Sequence, residues 1–144
     1  MIYTIYDSAT GQILKVLTTV DPIQVSINLA DQSYLAGKYS SKDYYIDQGQ
    51  AVTKPADPSN GLTKYLFDYN QKQYVVDLDY TTIKTRNYRD NLLTEIDGVN
   101  PIRYAGLTTY EQTELAAYRQ ALLDVPQQAS FPTSVEWPAK PHWL

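Results

Sequence analysis

One hundred and forty-four residues, 43% of them apolar and 19% charged, make about one domain's worth of chain at roughly 100–200 residues per domain. Sixteen acidic residues against twelve basic ones leave a net charge of −4; that argues against a nucleic-acid partner, whose phosphates require clustered Lys and Arg. The absence of cysteine excludes a disulfide scaffold, a thiol nucleophile and any Cys-ligated metal.

The opening Met1–Asp7 has no basic region leading into an apolar run, so no signal peptide is read. No stretch approaches the roughly 18–20 apolar residues of a membrane helix. The expectation is a soluble chain made in the cytosol, without membrane insertion. Fourteen tyrosines stand against two phenylalanines and two tryptophans. Tyrosine suits half-buried sheet faces, and for the same amphipathic reason it suits binding surfaces. Composition leaves both uses open.

Chain order then gives the elements. Ile2, Tyr3, Ile5 and Tyr6 form a β-prone run, Asp7–Gly11 a cluster of turn formers, and Ile13 to Val20 a second apolar run, which together predict a hairpin. Tyr44–Ile46 and Ala51–Thr53, joined around Gly49, predict another, since glycine supplies the positive φ of a tight turn. The segment Lys54–Gly61, broken by Pro55 and Pro58, reads as a linker or exposed loop. Tyr65–Phe67 and Tyr74–Val76 suggest a third hairpin with a longer loop. In Val25–Tyr39 the alternation of Val25, Ile27 and Leu29 permits one short strand or irregular chain.

From Thr81 the period changes. Ile83, Tyr88, Leu92, Leu93 and Ile96 mark the apolar face of a helix, which Gly98 is expected to close as a left-handed cap. Thr108 and Glu111 form a capping-box pair, followed by a Leu115, Tyr118, Leu122 stripe and the small residues Ala116, Ala117 and Ala121. A loop of about ten residues between two helices points to an antiparallel pair. Phe131–Leu144, with three prolines, favours an extended course. Phe131, Val135, Trp137 and Trp143 need cover, from the chain's own helices or from a partner. The predicted fold class is α+β: a β-rich domain of hairpins over residues 1–79, then an antiparallel helical hairpin with an extended Pro/Trp tail over residues 80–144.

Catalytic chemistry is sparsely represented. His142 is the sole histidine, so a two-histidine metal site cannot form and a Ser-His-Asp triad would depend on that one imidazole. No phosphate-cradling glycine motif or calcium loop occurs. The spaced pairs Asp77/Asp79 and Asp43/Asp47 match solvated loop acids better than a glycosidase pair. The expectation is a non-enzyme with no catalytic residues, no metal and no cofactor. All four arginines lie at 86, 89, 103 and 119, in the helical half; Arg119, beside Tyr118, is a candidate for pinning the C-terminal segment or an ordinary exposed helix charge.

Arg89-Asp-Asn-Leu-Leu93, Tyr118-Arg-Gln-Ala-Leu-Leu-Asp124 and Trp137-Pro-Ala-Lys-Pro141 together resemble the C-terminal domain of bacteriophage tail assembly chaperone proteins, and are similar to the ending of tail fibre assembly proteins. The resemblance covers about residues 84–141. It implies a non-enzymatic role in building a phage tail, around the fibre or baseplate, through contact with an oligomeric tail fibre or baseplate protein. That role places the chain in the host cytoplasm during assembly, with retention on the virion tail left open. Tyr118, Arg119, Phe131, Trp137, Pro138, Pro141 and Trp143 are the candidate partner-binding residues. The alternative is a receptor module at the fibre tip, its tyrosines stacking on a host surface glycan.

Overall fold

Asp7 is the pivot of the first turn. Its Oδ1 accepts from the backbone N–H of Ala9 and of Thr10 and from the Thr10 hydroxyl, at 3.0, 2.7 and 2.8 Å, which turns strand β1 (Ile2–Asp7) back toward β2 (Ile13–Thr18). The computed structural model describes residues 1–20 and 30–144, so the alternation at Val25, Ile27 and Leu29 lies outside the described residues. A strand does form just beyond it, β3 at Gln32–Ala36. Two compact units result: Met1–Asp57 with Phe67–Val75, and Pro58–Leu66 with Val76–Leu144. Small sheets at the N-terminal end and helices at the C-terminal end make the chain α+β.

In the first unit β1 lies between β2 and β3, antiparallel to both, with a bulge between Ile5 and Tyr6. Tyr3 and Ile5 are buried on one face, with Leu17 packed against them. The Tyr34 ring meets Tyr3 edge-on at 5.5 Å. Thr4 is fully buried and satisfied: its hydroxyl donates to Gly37 O at 2.9 Å and accepts from Tyr39 N–H at 3.0 Å. Strands β4 (Tyr44–Asp47) and β5 (Gln50–Thr53) are antiparallel, joined by Gln48 and Gly49 at φ 48° and 76°. Two consecutive positive φ values are what a two-residue hairpin turn needs to follow strand twist. Tyr39 and Tyr44 meet edge-on at 5.5 Å, and Phe67 gathers Tyr45, Tyr69 and Tyr74 at ring distances of 5.3, 5.1 and 5.3 Å. Most of the tyrosines of this unit serve such ring contacts. Phe67 lies on β6 (Tyr65–Asp68), which pairs with β7 (Gln73–Val76) as a two-stranded sheet.

The second unit is helical. Asp77 caps α1 (Leu78–Asp97) by accepting from Tyr80 N–H at 3.1 Å. Its buried positions are Thr81, Thr85 and Ile96, whereas Ile83 is 59% exposed and Tyr88 is also exposed. The predicted apolar face is therefore correct only at its C-terminal end. Threonines occupy the rest, where incoming backbone packs on the helix: Lys64 N–H donates to the Thr81 hydroxyl at 3.2 Å, and the Thr85 hydroxyl faces Pro132 O at a long 3.5 Å. Gly98 also departs from expectation. Its φ of −74° is right-handed, its N–H closes on Thr94 and Ile96 carbonyls, and the chain runs directly into the next cap. Asn100 caps a short helix, α2 (Pro101–Ala105), with Pro101 in its first turn, inside what the sequence suggests is plain loop. Helix α3 (Thr109–Asp124) opens on the predicted capping box: the Thr108 hydroxyl accepts from Glu111 N–H at 3.2 Å and Glu111 Oε2 accepts from Thr108 N–H at 2.7 Å. A single 3₁₀ turn, Val125–Gln127, follows, with Val125 fully buried.

Candidate interaction surface

Ile96 of α1 and Leu115, Tyr118 and Leu122 of α3 form the core of the helical unit. One side of that core is closed by the extended C-terminal segment: Trp137, Trp143 and Leu144 pack on it alongside Leu92, Leu93 and Leu107. The segment runs without helix or strand after residue 134, as Pro138 and Pro141 dictate.

Polar contacts fix the course of this strap. Gln128 holds Glu136 with two bonds, Nε2 to the carbonyl and Oε1 from the N–H, both at 2.9 Å. Lys140 pairs with Glu95 of α1. The Trp143 indole N–H donates to Glu114 Oε2 of α3 at 2.8 Å, and Arg103 Nη2 of α2 donates to the Trp143 carbonyl at 3.3 Å. Magnitudes separate these from the apolar term. A fully covered tryptophan buries about 150–250 Å², so half cover at about 25 cal/mol per Å² is worth ~2–3 kcal/mol per ring. An exposed ion pair such as Lys140–Glu95 contributes about 0–1 kcal/mol. Ring burial holds the strap down; the polar bonds set its register.

The seven candidate residues divide accordingly. Tyr118 is 6% exposed, and burial pushes its phenol above the usual tyrosine range. Pro141 is buried, while Trp137, Pro138 and Trp143 are half-buried. The Trp137 ring meets Tyr88 edge-on at 4.8 Å. Phe131 is half-buried with the Arg86 guanidinium 5.9 Å from its ring centre. Arg119 is exposed, its Nε 3.4 Å from Asp97 Oδ1. Arg119 thus ties α3 to the end of α1, and the arginine that bonds the strap is Arg103 instead. Neither Arg103 nor Glu114 is marked by any local motif; each acts on a residue 40 or 29 positions away.

Beside the strap an open trough of about 430 Å³ runs between Glu114, Ala117, Tyr118 and Ala121 of α3 and Pro138 and Pro141. Its alanine wall is the small-residue stripe of α3. Elsewhere in this unit Ile102 is 87% and Tyr110 72% exposed, unusually open for large apolar side chains. Among the described residues no group of three or more His, Asp or Glu is placed to hold a metal ion, and no helix is long and apolar enough to cross a membrane. Residues 82–142 match the family model described as phage tail assembly chaperone protein. No curated protein and no solved structure matches the chain. The matched span takes in almost all of α1, α2, α3 and the strap as far as His142, and over that span the chain is similar to phage tail assembly chaperone proteins.

Proposed function

We propose that the chain acts in the host cytoplasm as an assembly chaperone for an oligomeric phage tail fibre or baseplate protein, by protein–protein contact and with no bond made or broken. The family match over residues 82–142 is the observation that carries this reading. The physical task is plain: an immature tail subunit exposes apolar surface and unpaired strand edges until it oligomerises, and both aggregate unless covered. Ile102 and Tyr110 are the most exposed large apolar side chains among the described residues of this unit, and so the ones most available for apolar contact with a partner.

Residues 80–144 are the part assigned to this work. Within it Tyr118, Trp137, Pro141 and Trp143 are proposed to act by holding the strap in its docked form, and Arg119, Phe131 and Pro138 by touching the partner. Co-expression with a tail fibre or baseplate protein encoded by the same phage tests the proposal. The expected result is soluble oligomeric partner in the presence of the chain, with loss of that species when the chain is omitted. A double change, Ile102→Ser with Tyr110→Ser, is expected to reduce co-purification at least fivefold while leaving thermal unfolding unchanged. Normal partner assembly without the chain, together with no co-purification, would sink the reading. Mass spectrometry of purified particles distinguishes a retained protein from one that leaves.

A further inference from the structure

Loop 60–63, helix α1 and residues 132–137 line a half-open pocket of about 210 Å³ in the helical unit. Asn60, Thr63, Thr85, Ser134 and Trp137 supply its hydrogen-bonding groups, and none of its lining residues is ionisable. Two of these groups are deeply placed: Thr63 is 6% and Thr85 1% exposed.

Thr63 has its backbone paired with Asn60, N–H to Oδ1 at 2.8 Å and carbonyl to N–H at 2.8 Å, but no described residue bonds its hydroxyl. Every fully enclosed side-chain polar atom among the described residues has a partner, so the Thr63 hydroxyl keeps access to solvent, and the cavity it lines is the opening for that. The Thr85 hydroxyl reaches only Pro132 O, at 3.5 Å, too long for a strong bond. Asn60 spends its Oδ1 on the N–H groups of Leu62 and Thr63, which leaves its amide donors for other use. The Ser134 hydroxyl and the Trp137 indole N–H also have no hydrogen-bond partner among the described residues. Neutral donors therefore surround a space equal to about seven waters at ~30 Å³ each.

We propose that this cavity binds a neutral polyhydroxylated ligand of the size of a single sugar ring. Ring and hydroxyl oxygens accept from the asparagine amide and the indole, hydroxyls exchange bonds with the two threonines and Ser134, and the tryptophan gives the ring's C–H face an apolar wall. The volume falls below the roughly 300–1,000 Å³ of drug-sized sites, which limits the occupant to one ring. A charged ligand would find no counter-charge in the lining and would lose its hydration uncompensated. The site goes beyond the chaperone reading and is independent of it.

The test is an amide and indole NMR titration of the full chain with D-glucose, D-galactose, N-acetyl-D-glucosamine and L-rhamnose in turn, and with sodium sulfate as an anion probe. The expected result is saturable shifts for at least one sugar, confined to Asn60, Thr63, Thr85, Ser134 and the Trp137 indole. Thr63→Val, which keeps the shape, and Asn60→Asp, which keeps the Oδ1 that holds Leu62 and Thr63 and removes the amide donors, are each expected to weaken binding about tenfold with the spectrum of the helical core unchanged. No saturable shift with any of the four sugars overturns the proposal. So does stronger shifting of the same residues by sulfate, or unchanged affinity in both variants.

Discussion

The Trp143 indole N–H donates to Glu114 Oε2 at 2.8 Å, across 29 residues of sequence. One end of that bond is charged and the pair is partly buried, a setting in which a hydrogen bond is worth about 1.5–3 kcal/mol. Trp143→Phe keeps an aromatic ring on the core and removes the donor, so it should destabilise the helical unit by about 1–2 kcal/mol. Glu114→Ala should cost a similar amount, and the double variant should cost clearly less than the sum, because the second change finds the bond already broken. Both tryptophans lie in the strap, so urea unfolding followed by Trp137 fluorescence reports on this unit in every variant. Strictly additive losses would show that the bond contributes nothing.

Leu122 is fully buried and Ile83 59% exposed, although both sit on apolar-looking positions of long helices. Leu122→Ala should lower stability by about 2–5 kcal/mol through lost transfer energy and the cavity left behind. Ile83→Ala should stay within about 0.5 kcal/mol. Thr85→Val is the sharper probe of α1: its hydroxyl has only one long bond, to Pro132 O at 3.5 Å, so replacing it with a methyl group should be close to neutral in chemical denaturation. A large loss at Ile83 would mean that α1 buries the face its sequence advertises.

Features decided within four residues are legible in the amino-acid sequence alone. The Asp7–Gly11 turn, the glycine at 49 and the Thr108–Glu111 box each pair a side chain or a φ preference with backbone next to it. The Trp-Pro-x-x-Pro strap is legible too, as an extended aromatic segment in need of cover. The buried face of α1 is not, because Thr81 accepts a hydrogen bond from Lys64, 17 residues away, and Thr85 is covered by the chain at Pro132, 47 residues away, and hydropathy periodicity counts a threonine as polar wherever it lies. Helix α2 does carry a signal: Asn100 followed by Pro101, with Gly106 five residues on, is a cap, a first-turn proline and a stop. At five residues it is too short to show a period. Arg103 and Glu114 are illegible as strap contacts because nothing local sets a bond whose other end is decided by tertiary packing.

Gly11 is fixed by two constraints at once. Its φ is +77°, and a Cβ built there would stand 1.9 Å from the Ile46 carbonyl oxygen, which leaves no room for relaxation by side-chain movement. Gly49 has nearly the same φ, +76°, but its Cβ would meet nothing within 4 Å. Gly49→Ala should therefore cost only the left-handed penalty, about 1–2 kcal/mol, whereas Gly11→Ala should cost more than that and shift the amide resonances of both Gly11 and Ile46. The first unit contains no tryptophan, so near-ultraviolet tyrosine dichroism and amide NMR are the measurements to use. Equal losses at the two glycines would contradict the close approach at Ile46.

Glu111 provides the pH dependence. Backbone and then side-chain hydrogen bonds from Thr108 hold its carboxyl below the usual range for glutamate. A carboxyl whose folded-state pKa is depressed stabilises the fold at pH values above its unfolded-state pKa, and that contribution disappears as pH falls through the folded-state value. The start of α3 should thus be fully capped at neutral pH and fray in acid, visible as loss of the Thr108 and Glu111 amide shifts below the ordinary glutamate range. Asp7, lowered chiefly by its bond from the Thr10 hydroxyl, should give the first hairpin a dependence of the same sign. Thr108→Ala removes the hydroxyl and leaves the backbone N–H, so the Glu111 carboxyl, followed by carbon NMR, should move only part of the way back toward its ordinary value. A full return would assign the whole effect to the side chain, and an unmoved midpoint would deny the hydroxyl any hold on the carboxyl and leave it to the backbone N–H.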